Sequence, residues 1–124
     1  METVSDQNQA QMQRNLRLRR ATIGVTLSQM AEAGGVTRQW YSALCKTKRN
    51  TSLATLRKQA MLFWCPPQVL MGDSVEAVVS YPLPPEGYLE VIAKHREELG
   101  LVGRTPVPSW PQFEEFVLSK LANP

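Results

Sequence analysis

A chain of 124 residues with 43% hydrophobic content suits one small domain, or one domain with an appendage, around a modest core. It has no apolar run near the ~20 residues that a membrane-spanning helix needs, and its polar start, METVSDQNQAQMQ, does not read as a secretory signal. The net charge is only +3, yet residues 14–58 hold ten Lys and Arg against one acid, Glu32, a net of +9. Such a segment is either a solvated face or a surface whose self-repulsion a polyanion relieves. It points to nucleic acid before an anionic membrane surface.

In chain order, residues 1–10 read as a flexible tail. Residues 8–23 contain no Gly or Pro and place Met12, Leu16 and Ile23 near one face at helical spacing, with Gly24 ending the helix. Thr26 and Gln29 are spaced as a capping box, Thr26 as N-cap and Gln29 three residues on. The helix they open carries Leu27, Met30 and Ala31 and stops at Gly34 and Gly35. Thr37 caps the next helix, which runs through Cys45 with Tyr41 and Leu44 facing the core. Ser52 caps a fourth, 53–63, with Leu53, Leu56, Ala60 and Phe63 on one side. Pro66 and Pro67 suit the first turn of a short fifth helix, closed by Gly72.

The character then changes. DSVEAVVSYPLPP is β-branched and then proline-rich, so residues 74–85 are expected to form an extended connection. Residues 86–99 carry a helical stripe of Leu89, Ile92, Ala93 and Leu99, with Gly100 as its cap. Residues 101–108 form a loop. Ser109 and Gln112 make a second capping box, with Pro111 in the first turn of a last helix that buries Phe113, Phe116, Val117 and Leu121.

Little here suggests chemistry. Cys45 and Cys65 lie 20 residues apart and His95 is far from both, which does not suit a zinc set; two reduced thiols are the plainer reading. No triad, paired-carboxylate or phosphate-loop constellation assembles around a lone histidine, and Ser109, Ser119 and Lys120 read as a cap and a solvated helix end. Neither an enzyme nor a cofactor is expected.

The two short helices at about 27–33 and 38–45, separated by Gly34, Gly35, Val36 and Thr37, have the layout of a helix-turn-helix. Residues 14–73 resemble the lambda-repressor/Cro (XRE-type) DNA-binding family over roughly half the chain. NLRLRRATIGVT is similar to its basic first helix, LSQMAEAGGVTRQWYSAL to its Gln-Ala-Gly-Val-Ser core pattern, KTKRNTSLATL to its charged loop and fourth helix, and CPPQVLMGD to its short fifth helix. The chain departs from the family's usual Gln at Leu27, acid at Cys45, Gly at Thr47 and Pro at Thr51. The resemblance implies an all-α fold: a lambda-repressor-like five-helix DNA-binding domain over 11–73, followed by a C-terminal extension of about two helices over 86–124.

It also implies roles. The start of the second helix of the motif faces base edges, so Thr37, Arg38, Gln39, Ser42 and Ala43 become candidate base contacts. Arg38 suits guanine O6 and N7, Gln39 adenine N6 and N7, and Ala43 a thymine methyl. By composition alone Arg38 and Gln39 read equally well as solvated residues of a first helical turn. Lys46, Lys48, Arg49 and Asn50 follow along the DNA backbone, and Arg17 and Arg20 either reach phosphates or pair with acids. Trp40 packs on the edge of the scaffold or lies against a sugar-phosphate strand.

Two amphipathic helices this short rarely form a core alone. Leu89, Ile92, Phe113, Phe116, Val117 and Leu121 are therefore expected either at a homodimer interface or in an intramolecular cap on the DNA-binding domain. The function implied is a cytoplasmic transcriptional regulator that binds double-stranded DNA, a repressor on a two-fold symmetric operator. Two alternatives stand beside it: an antitoxin-type autorepressor that grips a toxin with its C-terminal half, and a protein-interaction adapter without a DNA site.

Overall fold

A computed structural model describes residues 6–46, 53–102, 106 and 108–123, and all regular structure among them is helical. The helices are α1 (Asp6–Ile23), α2 (Leu27–Gly34), α3 (Arg38–Lys46), α4 (Leu53–Ala60), α5 (Pro67–Met71), α6 (Val75–Ser80), α7 (Tyr88–Lys94) and α8 (Trp110–Ala122), with a 3-10 turn at Met61–Phe63. Among the described residues no helix is long and apolar enough to cross a membrane.

The long first helix lies against α3, α5 and α6. Met12 and Leu16 are fully buried, but so are the polar side chains of Asn15 and Arg19, and Gln9 and Gln13 nearly so. For Gln13, Asn15 and Arg19 the reason is capping. The last carbonyls of any helix lack intrahelical partners and carry partial negative charge, and α1 supplies donors to four such ends. Gln13 Nε2 donates to Leu44 O at 3.2 Å and Arg17 Nη1 to Cys45 O, at the end of α3. Asn15 Nδ2 donates to Leu70 O and Gly72 O, both at 2.8 Å, and Gln11 Nε2 to Met71 O at 3.1 Å, closing α5.

Arg19 closes the other two ends. Its Nε and Nη2 donate to Phe63 O (3.0 Å) and Trp64 O (2.7 Å) at the end of the 3-10 turn. Nη1 reaches Val78 O (3.3 Å) in the last turn of α6 and Tyr81 O (2.9 Å) just past it, and Nη2 also reaches Pro82 O (2.9 Å). Tyr81 lies under the guanidinium, 5.6 Å from its ring centroid. A buried cation is costly unless its hydrogen bonds are met; here five carbonyls meet them. Desolvation pulls the Arg19 pKa below the ordinary arginine value.

The rest of the core is aromatic. Trp110 packs edge-on to Trp64 (5.1 Å) and Tyr81 (6.1 Å) and stacks on Phe113 (5.8 Å), while Trp64 also meets Tyr88 at 5.5 Å. Trp110 Nε1 donates to Tyr81 Oη at 2.9 Å and Tyr88 Oη to Leu62 O at 2.8 Å, so the polar handles of these buried rings are satisfied. These contacts weld α7, α8 and the residue that ends α6 onto the preceding helices.

Several expectations are corrected. The supposed tail 1–10 is helical from Asp6, and Gln9 is buried. Residues 74–85 are not wholly extended: Ser74 Oγ accepts from Ala77 N at 3.1 Å and opens α6, whose Val78 is fully buried. The β-branched run suggested extension, but an N-cap and an acid in the first turn outweigh propensity once Val78 finds the core. The helix expected over 53–63 tightens into the 3-10 turn, and Trp64 takes a left-handed conformation at φ 51°. Pro66 disfavours helical geometry at Cys65, which limits how far the helix can run. The helix expected over 86–99 is regular only from Tyr88 to Lys94 and continues as turns to Gly100, at φ 71°. The Ser52 cap lies outside the described residues.

Candidate nucleic-acid interface

The α2–α3 unit is fixed by local chemistry at both ends of α2. At its start, Thr26 Oγ1 accepts from Gln29 N at 3.1 Å and Gln29 Oε1 accepts from Thr26 N at 2.8 Å, a complete capping box. At its end, Gly35 adopts φ 70°, its N–H donating to Glu32 O (3.4 Å) and that of Val36 to Ala31 O (3.1 Å). This is the pairing of a Schellman turn, for which glycine is the natural residue. The paired glycines have separate reasons. A Cβ at Gly34 would come within 3.1 Å of Tyr41 Oη and Gln59 Oε1, and one at Gly35 within 3.0 Å of Arg96 Nη1.

Thr37 Oγ1 then accepts from Trp40 N at 3.1 Å and caps α3. The inner face of α3 is anchored by Tyr41, Leu44 and Cys45, all essentially buried, and Tyr41 Oη donates to Gln59 Oε1. Burial holds the Tyr41 phenol well above the ordinary tyrosine range, so it stays protonated as a donor. With that face fixed, Thr37, Arg38 and Gln39 stand exposed on the first turn, whereas Ser42 and Ala43 are half-buried and offer less surface. Trp40 is half-buried, its ring edge-on to Tyr41 at 5.4 Å, in keeping with packing on the scaffold edge.

The expected backbone contacts divide. Among the described residues Arg17 and Arg20 pair with carbonyls and not with acids: Arg17 with Cys45 O, and Arg20 Nη1 with Val25 O at 3.5 Å. Lys46 closes α3, while Lys48, Arg49 and Asn50 lie outside the described residues. Arg96, which the sequence did not single out, lies against Gly35 at the carbonyl end of α2, where a cation complements the helix dipole.

Of the residues expected at a dimer interface, three are taken up by the chain itself and three keep part of their surface. Ile92, Phe113 and Val117 are fully buried in the chain's own core, and Leu89, Phe116 and Leu121 pack partly against it. Phe116 also meets the His95 ring at 5.4 Å and Lys120 Nζ at 5.4 Å from its centroid. The intramolecular cap is the arrangement the structure takes, because α7 packs on α2 and α8 on α7.

Comparison with known proteins found no matching family model, no similar curated protein and no similar solved structure.

Proposed function

We propose that this protein is a lambda-repressor-like, sequence-specific DNA-binding regulator, a repressor that occupies a two-fold symmetric operator as a homodimer. The reading rests on the first turn of α3. Arg38 and Gln39 stand exposed there on a helix whose opposite face is fully buried and whose entry is set by the Gly35 turn and the Thr37 cap. Side chains presented from a rigid first turn lose little freedom on docking into a major groove. Arg38 reads guanine and Gln39 adenine, each pair discriminating by ~1–3 kcal/mol. The net of +9 over residues 14–58 supports a polyanionic partner. The dimer forms through surface other than Ile92, Phe113 and Val117, which the core already uses.

Selection of bound DNA from a random pool tests this. The expected result is enrichment of a two-fold symmetric consensus, bound with an affinity that falls steeply from ~50 to ~200 mM salt. Arg38→Ala and Gln39→Ala should each weaken the selected site by ~1–3 kcal/mol and relax preference at one position per half-site, with folding unchanged. No enrichment, or binding indifferent to both substitutions, would refute the proposal; the second result would favour a protein-interaction adapter.

A further inference from the structure

An open cleft of about 490 Å³ runs between α2 and the segment that leads into α7. Its size falls in the ~300–1,000 Å³ range of small-molecule sites. Its apolar surface comes from Ile23 and Val25 on one side and from Pro84, Leu89 and Ala93 on the other. Three carboxylates, Glu32, Glu86 and Glu90, stand on its walls, and no Lys or Arg does among the described lining residues. Among the described residues none of the three joins an ion pair. An apolar cleft ringed by acids attracts cations and repels anions.

We propose that this cleft binds a small organic cation, an ammonium group carried on an apolar body. The body lies along Ile23, Val25 and Leu89, and the ammonium faces the carboxylates of Glu32, Glu86 and Glu90. Both walls are held by the fold: α2 by its capping box, and the opposite wall by Tyr88, which is buried and bonded to Leu62 O. The site does not depend on DNA binding, so it stands or falls separately from the regulatory reading.

The test uses the full chain and three probes of equal length: n-octylammonium, 1-octanol and octanoate. Titration is followed by amide shifts in two-dimensional NMR. Octylammonium should give saturable shifts at Gln29, Ala33, Leu89 and Ala93, binding about tenfold more tightly than octanol, as a few exposed charge contacts allow, and octanoate should bind more weakly still. The double variant E86Q/E90Q, with an unchanged circular dichroism spectrum, should lose most of the preference for ammonium over octanol. A second variant, Glu32→Gln, removes the α2 carboxylate alone and should weaken octylammonium severalfold. The proposal is overturned if the three probes bind alike, if no saturable shift appears, or if the glutamine variants keep the wild-type preference.

Discussion

Replacing Arg19 with Met removes five hydrogen bonds and one positive charge while keeping an unbranched side chain of comparable reach. Three of the five carbonyls, those of Phe63, Trp64 and Val78, accept buried bonds; those of Tyr81 and Pro82 are part-buried. A buried acceptor left without a donor costs ~1–3 kcal/mol, so three of them at the low end cost about 3 kcal/mol. The other two can turn to water at little cost. Relief from burying a guanidinium keeps the total near that low end. A net loss of about 3 kcal/mol is therefore expected, a large fraction of the ~5–15 kcal/mol that holds an ordinary domain together. Urea denaturation followed by far-UV circular dichroism measures it. Hydrogen exchange should show the amides of Val78 and Tyr81, at the end of α6, losing protection before those of α2. Arg19→Lys should fall between, because one ammonium offers three donors where the guanidinium offers five. A loss under ~1 kcal/mol for Arg19→Met, the range of an ordinary surface change, would refute the view that Arg19 holds the two helix ends together.

Phe113→Ala should cost ~3–5 kcal/mol in the same denaturation, because Phe113 is fully buried against Trp110; a negligible change would remove it from the core. Thr37→Ala should destabilise by about 1 kcal/mol through loss of the α3 cap, and a loss of helix stability without any effect on DNA affinity would assign Thr37 to capping alone. Stability should also fall at alkaline pH. Burial pushes the Cys65 thiol up to about 11 and the Tyr41 and Tyr88 phenols above the ordinary tyrosine range. These raised groups favour the folded protonated form: the Cys65 contribution is complete below ~8.5, the unfolded thiol value, and is lost as pH climbs through about 11, while the tyrosine contributions start to be lost only above ~10. A stability curve flat to pH ~12 would mean that these groups are more accessible than their burial implies.

The candidate site was readable to the extent that it is local. The Gly35 turn, the Thr37 cap and the exposure of Arg38 and Gln39 all follow from residues within a few positions of one another. Arg17 and Arg20 were harder, because a basic residue on a helix looks the same whether it meets phosphate or a distant carbonyl. Arg19 did carry a signal. It falls on the stripe of Met12, Leu16 and Ile23 at helical spacing, and a cation on an apolar stripe must find acceptors inside. Arg96 carried none, since its place beside Gly35 depends on how α7 packs against α2.

By itself the sequence determined where most helices begin and end. Both capping boxes, at Thr26 with Gln29 and at Ser109 with Gln112, are present, because a cap is written within four residues. The tertiary structure alone decided what the helices do to one another. It turned the polar side chains of α1 into caps for the ends of α3, α5, α6 and the 3-10 turn, and drew Ile92, Phe113 and Val117 into the chain's own core. The partners of Arg19 lie 44 to 63 residues away along the chain. A periodic pattern says that a face must be covered, but not by what; only packing in three dimensions supplies the acceptor or the neighbour that completes it.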